Sequence, residues 1–155
     1  MAVSLDEVDI RLVRELEEDA DRPNVELARI VGLSPAATLN RVRRLKDEGV
    51  ISAIRAQVDP GRAGLPLQVF VLASLGQHDE AANRRFAQVV EKSPNIISAD
   101  WVTGETDALL HLVAHDVEEL QKVLMTLSGR GGAARLITLL RLEPLKPRSP
   151  TPVAR

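Results

Sequence analysis

Leu5, Val8, Leu12, Val13 and Leu16 recur at helical spacing with polar residues between them, a pattern that predicts an amphipathic helix. Ser4 followed by Glu7 fits a capping box, which would satisfy the orphan amides of the first turn. The stripe breaks at Asp19-Ala20-Asp21-Arg22-Pro23, and Asn24 is the expected N-cap of a short second helix carrying Val25, Leu27, Ala28 and Val31. Gly32, the residue most able to take a left-handed backbone, stops it. A third helix begins at once, with Ser34 suited to the N-cap and Pro35 to the first helical position, where an amide has no partner to lose. Leu39, Val42 and Leu45 are expected to face the core, and Gly49 to end the helix. Two helices joined by a tight Gly-Leu-Ser turn form a helix-turn-helix, whose second helix fits a DNA major groove.

The stretch 50–58 alternates and is rich in β-branched residues, so it is expected to be extended, as a wing beside DNA or a strand reaching a partner subunit. Asp59-Pro60-Gly61, with Gly64 and Pro66, is dense in turn formers and marks a boundary. Beyond it, residues 67–75 read as a strand, and Ala82, Phe86, Val89 and Val90 as a helix running up to Ser93-Pro94. Strands follow at 96–102 and 108–115, close enough for a hairpin through 103–107. Val117, Leu120, Leu124 and Leu127 define another helix, closed by the glycines between 129 and 132, and 135–142 is the last strand. The fold class is therefore α+β. A three-helix, winged helix-turn-helix domain precedes a ferredoxin-like βαββαβ sandwich with its helices on one sheet face. The other sheet face also carries apolar residues and nothing in the chain remains to cover it, so a homodimer or larger homo-oligomer is expected.

Composition changes this picture little. With 45% hydrophobic and 27% charged residues the chain is an ordinary globular sequence, and its lack of cysteine excludes disulfide scaffolds and thiolate chemistry. No apolar run reaches the roughly 18–20 residues of a membrane span. The N-terminus has no secretory pattern, so a cytoplasmic, nucleoid-associated protein with no membrane partner is expected. The net charge of −2 does not forbid DNA, because phosphate binding needs only a local basic footprint. Arg41, Arg43, Arg44 and Lys46 supply one. Small Ala36 and Ala37 would admit the helix end to the groove, and Ser34 with the first-turn amides could donate to phosphate. Asn40 and Arg41 reach far enough for base edges, while Arg43, Arg44 and Lys46 suit phosphates. The bland alternative is a three-helix interaction module with an incidental basic face. RNA is disfavoured, since one Trp, two Phe and no Tyr make a poor stacking platform.

In its joint motifs the chain resembles the Lrp/AsnC family, the leucine-responsive or feast/famine regulators, over about residues 5–146. The carriers are Leu5-Asp6-x-x-Asp9, Glu26-Leu27-Ala28, Gly32-Leu33-Ser34, Arg41-Val42-x-Arg44-Leu45, Gly49-Val50-Ile51, Asp59-Pro60, Val102-Thr103-Gly104-Glu105-x-Asp107 and the closing strand from Thr138 to Lys146. The resemblance implies a transcription regulator that binds double-stranded DNA, assembles as dimers, tetramers or octamers, and senses a small molecule, usually an amino acid, between subunits. Four segments are expected: a DNA-binding domain over 1–52, an extended hinge over 53–66, a ligand-sensing and oligomerisation domain over 67–146 and, from its proline-rich composition, a disordered tail over 147–155. The resemblance also assigns the effector to Thr103, Gly104, Glu105, Thr106 and Asp107. Asp107 could pair with an ammonium group and backbone amides near Gly104 could receive a carboxylate, with Thr138 adding a hydroxyl from a neighbouring subunit. Gly104 and Asp107 equally suit a tight hairpin. The family often has an aromatic beside this Asp, where this chain has Thr106 and Ala108.

An Lrp-like enzyme of the tetrapyrrole decarboxylase type is the alternative. Its titratable candidates are His78, His111, His115, Glu105 and Asp107, with His111 and His115 at an even spacing that would put both on one strand face. No nucleophile or metal constellation accompanies them, so the chain reads as non-enzymatic, without catalytic residues, metal or cofactor.

Overall fold

Helices α1 Glu7–Glu18, α2 Asn24–Val31 and α3 Pro35–Asp47 come first along the chain. They belong to the first of two units in the computed structural model, which describes residues 3–146 and 149–152. This unit is built on residues up to Gln57, and the second spans Val58–Leu145.

The first unit closes around Leu12, Val13, Leu27, Val42 and Leu45, with Leu5, Val8, Leu16, Val31, Val50 and Ile51 packed against them. Its start differs from the expected Ser4–Glu7 box. Asp6 is the N-cap: its carboxylate accepts the Asp9 N–H at 2.8 Å and the Asp9 carboxylate accepts the Asp6 N–H at 3.2 Å. Asp6 and Asp9 satisfy the same i, i+3 rule as Ser4 and Glu7, and a carboxylate pair is the stronger acceptor set at a helix N-terminus. Asn24 is likewise not a cap. Pro23 holds that position without a side-chain bond, and the Asn24 amide instead donates to the Pro35 carbonyl at 2.8 Å, tying the starts of α2 and α3.

Gly32 at φ +70° ends α2, Ser34 Oγ accepts the Ala37 N–H at 3.2 Å, and Gly49 at φ +74° follows α3. On α3 the inward residues are Thr38, Val42 and Leu45. Leu39, expected inside, is 39% exposed, whereas Thr38 is at 0%. The Thr38 hydroxyl donates to the Ser34 carbonyl at 3.0 Å, which removes the cost of burying it. Among the described residues, 52–58 pair with no strand of this chain and are exposed.

The second unit has β1 Leu67–Leu75, α4 Glu80–Glu91, β2 Ile96–Trp101, β3 Ala108–Ala114, α5 Val117–Gly129 and β4 Ala133–Leu140. The strands form one antiparallel sheet in the order β2-β3-β1-β4. The last strand starts and ends two residues earlier than expected (133–140 against 135–142), because the chain leaves its turn at Gly132, φ +77°, straight into the ladder. Val69, Val71, Ala73 and Leu75 of β1 alternate into a core with Leu110, Leu112, Phe86 of α4 and Leu127 of α5. The opposite sheet face carries Phe70, Leu72, Leu109, His111, Ile137 and Leu139, matched across the ladder as Phe70–His111, Phe70–Leu139, Leu72–Leu109 and Leu72–Ile137. The tail expected to lack fixed structure falls partly outside the described residues, and its described members, 149–152, have no helix or strand.

Candidate functional site

The exposed side of α3 begins at its capped N-terminus. Pro35 has no N–H and that of Ala37 is taken by Ser34 Oγ, so donation to an anion at this end falls to Ala36 and the Ser34 hydroxyl. Ala36, Asn40 and Arg43 lie at helical spacing on one stripe, and all three are exposed. Ala37 beside them is half-buried. Lys46 extends the stripe by a turn, and neither it nor Arg43 has an ion-pair partner among the described residues. Leu39, which the helical wheel placed in the core, is on this outer side and adds an apolar contact surface.

Arg41 and Arg44 behave differently. Arg41 Nη1 donates to Asp6 Oδ2 at 2.6 Å and to Asp9 Oδ1 at 2.9 Å, and Arg44 Nη2 donates to Asp9 Oδ2 at 2.5 Å. Arg44 Nε also lies 3.9 Å from Glu48. The Asp9 side chain is 1% exposed. The Asp6 carboxyl is held below its ordinary range, first by the Asp9 N–H and then by the Arg41 guanidinium, while the Arg41 pKa is raised by Asp6 and then Asp9. Two of the four cations expected on the exposed face are thus engaged with carboxylates of α1. Sequence reading missed this because it treated Leu5-Asp6-x-x-Asp9 only as a family signature.

In the second unit, Thr103, Gly104 and Glu105 are exposed and Thr106 and Asp107 half-buried, with Gly104 at φ +123°. The connection is tight. The Val102 N–H donates to the Asp107 carbonyl at 2.9 Å and the Asp107 N–H to the Ala73 carbonyl at 2.9 Å. Asp107 Oδ2 accepts the Leu75 N–H at 2.7 Å, and Oδ1 lies 3.5 Å from His78 Nδ1. The carboxylate therefore serves the hairpin through one oxygen and turns the other outward, where its neighbour is an exposed histidine that sequence reading had not connected with the loop. Thr138 pairs with Val71, four residues along β1 from Leu75, or about 14 Å at strand rise. Its own chain does not bring it to the loop.

The histidines are not assembled. His111 stacks on Phe70 with ring centroids 4.6 Å apart, and its Nε2 is buried without a hydrogen-bond partner. His115 lies past the end of β3, contrary to the expectation that it shares a strand face with His111. Its backbone N–H donates to Glu119 and its ring lies 3.3 Å from Asp116. Among the described residues no group of three or more His, Asp or Glu could hold a metal ion, and no helix is long and apolar enough to cross a membrane.

Comparison with known proteins agrees with this layout. Residues 5–46 match the model of the AsnC-type helix-turn-helix domain, and residues 68–151 that of the Lrp/AsnC ligand binding domain. The chain is 35% identical over 150 residues to the HTH-type transcriptional regulator AldR of Mycolicibacterium smegmatis, covering 96% of this chain and 88% of the relative. It is 34% identical to the leucine-responsive regulatory protein of Rhizobium meliloti, covering 93% of each. Among solved structures it is similar to a transcriptional regulator of Neisseria meningitidis in complex with L-Met, with a TM-score of 0.88, 33% identity, and coverage of 96% of this chain and 97% of that one.

Proposed function

The chain belongs to the Lrp/AsnC family of transcriptional regulators, in which a DNA-binding helix-turn-helix is joined to a ligand-binding domain, and from that premise we propose a specific division of labour among its residues. The relatives are regulators and not enzymes, which sets aside the decarboxylase alternative.

The α3 stripe enters the major groove of double-stranded DNA. Ala36 and Ala37 allow close approach, Asn40 reads base edges, and Ser34, Arg43 and Lys46 hold phosphates. The observation that carries this reading is the exposure of Asn40, Arg43 and Lys46 on a helix whose N-terminus is capped and tied to α2 through Asn24. The effector is an amino acid held at a subunit interface by residues 103–107, with its ammonium on Asp107 and its carboxylate on backbone amides near Gly104. Thr138 comes from a neighbouring copy. Support comes from the outward Asp107 oxygen and from the L-Met bound in the Neisseria regulator. The apolar sheet face of Phe70, Leu72 and Leu139 is covered by a second copy, giving a homodimer that builds tetramers or octamers in the cytoplasm, at the nucleoid.

Fluorescence anisotropy with the DNA upstream of its own gene, repeated with each common amino acid, tests this. Tight, salt-sensitive binding that shifts with particular amino acids is the expected result. Binding no tighter than to random duplex overturns the DNA reading, and tight binding unmoved by any amino acid overturns the effector class.

A further inference from the structure

Arg41 and Arg44 stand one helical turn apart on α3, so both guanidiniums reach the single carboxylate of Asp9 on α1. A carboxylate buried to 1% exposure is tolerated only when fully compensated. Asp9 meets that condition: Oδ1 accepts from Arg41, and Oδ2 accepts from Arg44 and from the Asp6 N–H. Asp6 gives Arg41 a second acceptor. Asp6 and Asp9 against Arg41 and Arg44 make the cluster neutral, so these arginines add little field at a DNA backbone. Swinging either one onto a phosphate would strip a buried anion of its partner. That makes the exchange unfavourable where Arg43 and Lys46, already free in solvent, bind phosphate without loss.

We infer that Asp9 is a positioning residue for DNA recognition, which withholds Arg41 and Arg44 from the phosphates and uses them to fix α3 against α1. Arg43 and Lys46 then supply the backbone contacts of this stretch of the helix, and the specificity of Asn40 depends on an orientation set from α1. This rests on α3 being the DNA-reading helix.

Salt dependence separates positioning from contact. Each phosphate contact contributes about 0.9 to the slope of log affinity against log salt, and a positioning residue contributes nothing to it. The full chain is titrated by anisotropy against the tightest-binding duplex selected from a random library, and against random duplex. Arg43→Ala and Lys46→Ala are expected to lower the slope by about 1 each. Arg41→Ala and Arg44→Ala are expected to leave the slope unchanged while lowering the selected-to-random affinity ratio by about tenfold or more, the scale of a lost base contact. Asp9→Asn removes the charge that holds Arg44 and leaves Arg41 only Asp6, so random-duplex affinity and slope rise while the ratio falls. Arg44→Lys guards against variants that do not fold: it keeps the charge but loses the guanidinium whose Nη2 meets Asp9 while its Nε lies 3.9 Å from Glu48, so positioning predicts a lowered ratio and a phosphate contact predicts wild-type behaviour. A slope lowered by about 1 in Arg41→Ala or Arg44→Ala, or a wild-type ratio in folded Arg44→Lys, overturns the inference. Wild-type chain with no preference for any duplex overturns instead the DNA reading beneath it.

Discussion

Asp107 joins the loop between β2 and β3 to the end of β1, because its Oδ2 accepts the backbone N–H of Leu75 at 2.7 Å. The residue proposed to greet an effector's ammonium is therefore also a hairpin clamp, and two substitutions pull these roles apart. Asp107→Ala removes both oxygens, leaves the amide of buried Leu75 without its acceptor, and is expected to lower unfolding free energy by about 1–3 kcal/mol. Asp107→Asn keeps an acceptor for Leu75 and loses only the charge, so it should melt within about 1 kcal/mol of wild type and yet fail to bind the effector. Urea denaturation beside calorimetric titration with the responsive amino acid reads both quantities. Normal effector binding by Asp107→Asn would show that the carboxylate serves the hairpin alone.

A second prediction concerns which leucine of α3 is structural. Leu45 is at 0% exposure and Leu39 at 39%. Leu45→Ala should cost about 2–5 kcal/mol, the range for a fully buried leucine whose cavity cannot collapse. Leu39→Ala should cost about 1 kcal/mol, in keeping with its partial burial. Equal losses in thermal unfolding would restore the helical-wheel assignment of Leu39 to the core.

That assignment shows where sequence reading stops. The long apolar stripes around Leu12, Phe86 and Leu127 and the turn residues Gly32, Ser34 and Pro35 have strong local signals, so the helices, the helix-turn-helix and the order of strands were legible. Thr38 was not, because its burial depends on the hydroxyl returning to the Ser34 carbonyl, a bond that no hydrophobic pattern records. The extended stretch around Ile54 and Val58 has strand propensity but no partner in this chain to pair with. In the candidate sites, residue types were legible and their occupancy was not. Arg43 and Arg44 look equivalent in sequence, and only the approach of α1 decides that one faces solvent and the other Asp9.

The stability of the second unit should depend on pH through His111. Burial first, and then the Arg141 charge, lower its pKa below the ordinary 6.5. The unfolded chain therefore takes up a proton before the folded one does, so the free energy of unfolding is highest above about pH 6.5 and falls as pH drops through the lowered value. Phe70 against its ring and the unpartnered Nε2 offer the cation no acceptor. Urea midpoints are expected to fall between pH 7.5 and 5.5 in the wild type, with a weaker fall in His111→Phe. An identical fall in both would assign the pH dependence to other groups.

The last prediction concerns assembly. Phe70, Leu72, Ile137 and Leu139 share the sheet face opposite α4 and α5, and Leu139 remains 48% exposed although it lies across from Phe70 in the ladder. A carboxylate at position 139 is therefore solvated in a single chain and disturbs its fold little. In an interface it would have to surrender that hydration against apolar neighbours without a partner. Leu139→Glu is thus expected to keep the wild-type circular dichroism spectrum while shifting sedimentation velocity from dimer or larger to monomer. Separated monomers also lose the second recognition helix, so affinity for the full operator should fall by an order of magnitude or more while binding to a half-site is spared. A Leu139→Glu chain that sediments as the wild type does would move the subunit interface off this face.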